Sequence, residues 1–311
     1  MAVYTVVTAE ALADLLSRYD VGQLVSAKGI AEGVENTNYM VDTTTGRFIL
    51  TLYEKRVDEA ELPFFLSLLD HLADRDLPVP RAIADRSGVQ LQSVAGRPAC
   101  LIEFLSGVSV SAPSAVQARA TGAALGNLHR AVADFARQRP NALGLAEWHA
   151  LAARCGDNLD TISPDLGRRV AQELDWLDTH WPRMLATSVI HADLFPDNVL
   201  MRGDTVGGII DFYFACTEVR AWDIAVTHAA WSFDNEGRSF SSAIGDALLA
   251  GYEDTHGLTP DERSAFPALA RGACLRFLLT RAWDWLNTPA DAVVTKKDPL
   301  AFLRRLDHYA A

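Results

Sequence analysis

His191-Ala192-Asp193-Leu194-Phe195-Pro196-Asp197-Asn198 decides how the rest of the chain is read. It sets an aspartate and an asparagine five residues apart, with a proline-containing turn between them. Two apolar strand-like pieces flank it, SVIH at 188–191 and GGIID at 207–211. The second piece ends in Asp211, thirteen residues after Asn198. Both pieces interrupt a region whose hydrophobic period is otherwise helical.

Working outward, Ser114 with Gln117 predicts a capped helix running to about residue 137. Further helices are expected at 167–186, 221–233, 240–255, 260–286 and 299–309. Upstream the pattern is different. After a short helix at 8–19 with Thr8 as its N-cap, strands are expected at 23–30, 37–42 and 47–53. In the third, Phe48, Leu50 and Leu52 face one side, and Ile49, Thr51 and Tyr53 the other. A helix near 58–74 follows, started by Asp58 and Glu61 as a capping box or by Pro63 in its first turn. Shorter strands are expected near 82–85, 88–93 and 98–104. Ser106-Gly107 marks the boundary. Residues 1–105 should form a lobe of five-stranded antiparallel sheet plus helices, and residues 106–311 a helical lobe, an α+β bilobal arrangement.

The 311 residues carry 28 basic and 40 acidic side chains, a formal charge of −12. The acidity is even along the chain, with no basic tail, so neither nucleic acid nor an anionic membrane is an expected partner. Hydrophobic residues make up 49% and charged residues 22%, the balance of a globular protein. Cys100, Cys155, Cys216 and Cys274 show no paired spacing, which argues for reduced thiols rather than disulfides or zinc. Glu10 and Asp14 precede the first basic residue, Arg18, so a secretory signal is not expected, and a cytoplasmic location is.

The octet fits the HxDLxxxN pattern of a phosphotransfer loop, with alanine where the protein-kinase form has arginine. Asp193 would accept the proton of an attacking hydroxyl. Asn198 would return to the same cleft and bind magnesium, and Asp211 would take the second metal position. His191 is read either as a general base or as a brace for the loop backbone. Asp223, in Trp222-Asp223-Ile224-Ala225, either caps its helix or holds that same backbone, since a buried charge needs a partner. Gly29 and Gly33 lie between two strands and either let backbone N–H groups approach phosphates or only turn a hairpin. No GxxxxGK[ST] occurs, which excludes a P-loop. The backbone at Glu103, Phe104 and Leu105 could pair with a purine edge or simply link the lobes.

HADLFPDN (191–198), IIDF (209–212) and AWDIA (221–225) resemble the aminoglycoside phosphotransferase and choline kinase superfamily. EGVENTNY (32–39), FILTLYEKR (48–56), DLPVP (76–80), LRFLLTRAWDWLNTP (275–289) and KKDP (296–299) are similar to its bacterial homoserine kinase branch. The resemblance implies a protein-kinase-like bilobal fold and ATP- and magnesium-dependent phosphorylation of L-homoserine in threonine biosynthesis. It implies Asp193 as base, Asn198 and Asp211 as metal ligands, Gly29 to Asn38 (with Gly33 and Asn36) as nucleotide loop, and Glu103 to Leu105 as hinge. One position departs from the pattern: Thr51 stands where such folds carry a phosphate-binding lysine. There are only four lysines, and Lys28 and Lys55 are those in the first lobe. Lys55 is four residues from Thr51, roughly 13 Å along a strand, so Lys28 is the better-placed substitute.

A homoserine site must answer a carboxylate, an ammonium and a hydroxyl. Arg276 and Arg281 suit the carboxylate and Asp284 the ammonium, unless Arg281 and Asp284 only pair along their helix. Two alternatives stand beside this reading. One is another small-molecule hydroxyl kinase of the same fold, acting on an aminoglycoside, choline or a sugar. The other is a non-catalytic nucleotide-binding regulator, suggested by Thr51. The sequence leaves the oligomeric state open.

Overall fold

The computed structural model describes residues 5–30, 36–54, 58–289 and 296–311. Lys55 and Gly33 therefore lie outside the described residues. The chain divides into two compact units, Met1–Ser106 and Gly107–Ala311. The architecture is mixed α+β, a small antiparallel sheet followed by a helical remainder.

The first unit opens with α1 (Ala9–Leu16), whose first turn is capped by the Thr8 hydroxyl accepting from the Ala11 N–H. β1 (Leu24–Ile30), β2 (Thr37–Thr43) and β3 (Arg47–Leu52) follow, then α2 (Leu62–Ala73), β4 (Leu91–Val94) and β5 (Arg97–Glu103). The strands pair antiparallel throughout, in the order β1-β2-β3-β5-β4. Strand alternation assigns the two faces. Tyr39, Val41, Leu50, Leu52, Ala99 and Leu101 bury against Leu12, Leu15 and Leu16 of α1. The register sets Ile30, Asn38, Thr51 and Cys100 in one row of the opposite face, and Lys28, Met40, Ile49 and Ile102 in the next.

Two strand expectations are revised here, and one of the two expected starts of the following helix is selected. The strand at 82–85 reduces to one bridge, Ala82 to Ile102. Beyond it the Asp85 carboxylate accepts from the Ser87 and Val89 N–H groups, and this turn competes with sheet pairing. The strand expected from residue 88 begins at Leu91, because Gly88 occupies the turn at φ 85°. Asp58 caps a short 3-10 turn, Glu59–Glu61, and Pro63 then sits in the first turn of α2.

In the second unit α3 (Ala115–Ala131) carries the Ser114–Gln117 capping box. It stops well short of residue 137, because the 139–140 backbone instead pairs with Thr217, which donates its N–H to the Arg139 carbonyl. α4 (Leu145–Cys155) and the short α5 (Leu159–Ile162) were not expected. α6 (Leu166–His180) ends at Trp181 rather than 186, since the residue before Pro182 is driven to extended backbone (ψ 125°). β6 (Thr187–Ile190), β7 (Val199–Arg202), β8 (Thr205–Ile209) and β9 (Cys216–Val219) form two small hairpin-like pairs, β6 with β9 and β7 with β8. α7 (Arg220–Trp231), α8 (Ser242–Thr255), α9 (Pro260–Asn287) and α10 (Leu300–Ala310) complete the unit.

α7 is buried on every side from Ala221 to Trp231, as expected of a helix without a polar face. α3 and α8 cross in close contact through Gly122 and Gly251. A Cβ added at Gly122 would collide with the Leu248 carbonyl oxygen, and one at Gly251 with that of Arg119. We therefore expect Gly122→Ala to push the helices apart and cost about 1–3 kcal/mol, the usual penalty of overpacking. Chemical denaturation would read this as a lower midpoint at unchanged slope; an unchanged midpoint would refute the close-packing account.

Candidate active site

The 191–198 segment emerges from β6 and turns through a 3-10 helix, Pro196–Asn198, into β7. Val199 pairs with Ile209 across the β7–β8 hairpin, so the residues just outside that pair, Asn198 and Ile210–Asp211, become neighbours. Ile210 donates its N–H to the Asn198 carbonyl (3.0 Å) and accepts at its own carbonyl from His191 Nε2 (3.0 Å). Thirteen residues of sequence separation thus close into one stitched surface.

The loop backbone is held from beneath by Asp223 of α7. Its Oδ2 accepts the His191 N–H (2.7 Å) and its Oδ1 the Ala192 N–H (2.8 Å). His129 Nε2 donates to the same Oδ2 (3.0 Å), and His129 Nδ1 meets the Tyr252 hydroxyl (2.8 Å). All of this is buried. Burial alone would raise the Asp223 carboxyl, but the His129 hydrogen bond and the two backbone donors hold it below its usual range. His191 is fully buried. Its Nε2–H faces a carbonyl, so Nδ1 is free to accept the Asp193 N–H (3.3 Å), and burial pushes its pKa down. A neutral imidazole with both nitrogens spent on backbone braces the loop. Ala192 and Asp211 both adopt left-handed backbone, φ 62° and 65°, a strained state for non-glycine residues that fixed surroundings must enforce.

Asp193 is the group this scaffold presents. Asn198 Nδ2 donates to its carbonyl (2.8 Å) and to Oδ2 (3.2 Å). Arg276 of α9 lies 3.7 Å from Oδ1 and donates from Nη1 to the Ala192 carbonyl (2.5 Å). Burial pushes the Asp193 carboxyl up to about 8; Arg276 pulls it down, while Asp211 and Asp197 push it further up. The pair of aspartates therefore diverges: Asp223 is kept ionised by its donors, and Asp193 is left with an unbalanced negative neighbourhood.

That neighbourhood suits a hard divalent cation. Asn198 spends its amide nitrogen on Asp193, and its Oδ1 accepts no hydrogen bond among the described residues. With the Asp211 carboxylate this offers oxygen donors of the kind magnesium takes together with phosphate oxygens. Among the described residues no three His, Cys, Asp or Glu side chains form a ready-made metal cage.

The remaining expected positions are placed as follows. Arg276 is 2% exposed, with its guanidinium against Phe277 (4.1 Å) and Phe214 (4.9 Å). Arg281, five residues on, stacks over Phe302 (4.5 Å) and donates to the Asp298 carbonyl (3.3 Å). Asp284 is exposed, and its carbonyl accepts from Thr288 at the end of α9. In the first unit Lys28 is exposed on β1 opposite Met40, and the next residue, Gly29, pairs with Tyr39. Lys28 shares its sheet face with Thr51 at roughly 12 Å, from strand and residue spacings. Thr51 Oγ1 donates to Asn38 Oδ1 (2.7 Å), and Asn36 Oδ1 accepts from the Glu54 N–H (3.5 Å). Gly29 sits within β1. Glu103 spends its N–H on the Arg81 carbonyl (2.9 Å), whereas the Leu105 N–H finds no acceptor among the described residues. Phe104 lies beneath the Arg47 guanidinium (5.3 Å).

Two contributors escaped sequence reading. His129 is 94 residues from its partner Asp223, and a histidine among Leu125 and Leu128 on a helix reads as packing. Trp231, whose Nε1 donates to the Leu194 carbonyl (2.9 Å), carries no local signal either.

Residues 26–263 match the model of the phosphotransferase enzyme family. The chain belongs to that family. Among curated relatives, the homoserine kinase of Zymomonas mobilis is 55% identical over 99% of this chain and 97% of its own length. That of Beijerinckia indica is 51% identical, over 98% and 95%. Among solved structures, the choline kinase of Cryptosporidium parvum aligns at a TM-score of 0.69, covering 97% of this chain and 94% of its own at 14% identity, a likeness of fold. A phosphotransferase of this family works on ATP, and among the described residues no helix is long and apolar enough to cross a membrane.

The two aspartates should respond oppositely to the same change. Asp223→Asn replaces an acceptor of three donors with a group that clashes with one of them, so unfolding midpoints should fall, by about 1–3 kcal/mol. Asp193→Asn removes a carboxyl that folding penalises above the ordinary carboxylate pKa. The metal-free variant should be more stable at neutral pH by on the order of 1 kcal/mol, and the gain should vanish as pH drops below 4. Denaturation curves at pH 7 and near pH 3.5 test both signs; a loss of stability in Asp193→Asn at pH 7 would contradict the electrostatic account.

Proposed function

We propose that the chain transfers the terminal phosphoryl group of ATP to the hydroxyl of L-homoserine, yielding O-phospho-L-homoserine on the route to threonine. The observation that carries this reading is 55% identity to a homoserine kinase over 99% of this chain and 97% of that protein. Asp193 accepts the hydroxyl proton, for which it must be ionised, so the rate rises with pH on the acidic side. Asn198 and Asp211 hold magnesium, and Gly29 to Asn38 with the Glu103–Leu105 backbone hold the nucleotide. When bound, magnesium supplies positive charge against the phosphate oxygens. His191, Asp223 and Arg276 fix the loop so that the base meets the acceptor in one orientation.

Of the two arginines expected to meet the substrate carboxylate, Arg281 is the better candidate. Arg276 is spent on Ala192 and Asp193. Arg281 makes one long hydrogen bond among the described residues, and its guanidinium feels the charges of Asp193 and Asp197. Burial, with Arg305 nearby, lowers its pKa to about 10, still fully charged at neutral pH. A planar fork with unspent donors suits a carboxylate. Asp284, one turn further along α9, is the proposed partner for the ammonium.

Purified protein assayed with homoserine, choline and kanamycin should turn over homoserine. Arg281→Gln should raise the KM for homoserine roughly tenfold to hundredfold, the loss of a charged hydrogen bond, with the KM for ATP nearly unchanged. Turnover of another acceptor in its place would redirect the substrate assignment, and an unchanged homoserine KM would remove Arg281 from it.

A further inference from the structure

Gly107–Ala311 contains a pocket of about 520 Å³ lined in part by β6, the strand that leads into the 191–198 segment. Thr187, Ser188 and Val189 of β6 line it, together with His129 and Arg130 at the end of α3, Arg137, Arg220 at the start of α7, and His256. Three arginines and two histidines line it with no carboxylate among them, in a chain where acids outnumber bases by 40 to 28. With Arg220 paired to Glu262 and His129 to Asp223, the local positive charge comes from Arg130 and Arg137.

The cationic groups there are incompletely used. Arg220 gives Nη2 to Glu262 (2.6 Å), but its buried Nε–H has no acceptor among the described residues. Among the described residues Arg130 donates only to the Thr255 carbonyl, at 3.4 Å. Arg137 is exposed and makes no ion pair among the described residues. Arginine forks with spare donors around a space of this size match phosphate or carboxylate groups.

The cavity also touches the scaffold of the site. His129 in its wall donates to the Asp223 oxygen that accepts the His191 N–H. β6 in its floor runs through Ile190 into His191. We propose that this cavity binds a small multivalent anion, a phosphate- or polycarboxylate-bearing metabolite, and that its occupancy alters phosphotransfer through His129 and Asp223. The inference does not depend on which acceptor the enzyme phosphorylates.

The test is calorimetric titration of the full chain, its nucleotide site saturated with magnesium and a non-hydrolysable ATP analogue. Inorganic phosphate and tricarballylate are titrated separately, so that the stronger binder tells a phosphate-bearing from a polycarboxylate ligand. One added site is expected for at least one of them, weakened about tenfold or more in Arg130→Gln/Arg137→Gln, a change of about 1.4 kcal/mol. The same anion should shift the His129 ring signals in nitrogen-15 NMR and change kcat in the wild type but not in the double variant. Absence of binding with the nucleotide site filled, or binding undiminished in the double variant, would overturn the site. Binding without movement of the His129 signals or of kcat would overturn its link to the loop.

Discussion

One buried carboxylate carries the geometry on which the chemistry depends. Asp223 accepts two consecutive backbone N–H groups, His191 and Ala192, and this pairing turns the chain sharply enough to place Ala192 in left-handed backbone. Neither N–H could be left unpaired in so dry a place. The carboxylate in turn needs a third donor to remain ionised there, and His129 supplies it. The strain at Ala192 is thus held by a network whose every member has a partner, and Arg276 takes the Ala192 carbonyl from the other side. Asp193, the next residue, inherits its position from this arrangement rather than from contacts of its own.

The same arrangement explains why two aspartates thirty residues apart take opposite electrostatic roles. Asp223 is surrounded by donors and resists protonation. Asp193 has one amide and a guanidinium at 3.7 Å, and two further carboxylates press on it. Burial therefore dominates, and its pKa rises towards neutrality, where a group can exchange a proton with an alcohol under physiological conditions. Bringing a cation to Asn198 and Asp211 would lower it again, so proton acceptance and metal binding are coupled through one small volume. An acidic protein gains from this, because its own negative charge would otherwise oppose the approach of ATP.

The loop and the approach of Asn198 to Asp211 were legible in the sequence because their spacing is local: a five-residue step, then a hairpin whose pairing makes thirteen residues short. The capping box at Ser114 and the alternation in β3 were legible for the same reason, since each rests on neighbours a few residues away. What escaped depends on distant partners. α3 ends early because the backbone at Arg139 pairs with Thr217, 78 residues away. α4 buries only Trp148, Leu151 and Cys155, too sparse a stripe to stand out in an alanine-rich stretch. Arg276 looks on paper like any helical arginine; its burial against Phe277 and its bond to Ala192 follow only from where α9 passes.

α9 also shows how one element can serve catalysis and specificity together. Arg276 and Arg281 are five residues apart, which in a helix is about 140° of rotation and about 7.5 Å of rise. The first grips the loop that carries Asp193; the second remains charged, stacked on Phe302 and short of acceptors among the described residues. Both belong to a helix packed along α7, which supplies Asp223. A carboxylate bound at Arg281 would therefore be positioned by the same rigid body that positions Asp193. Substrate choice and base orientation then share one mechanical reference, and a displacement of α9 large enough to admit a bulkier acceptor would also loosen Arg276 from the loop. Under the proposed assignment of Arg281 and Asp193, discrimination at the acceptor pocket is enforced partly by the geometry of the reacting centre itself.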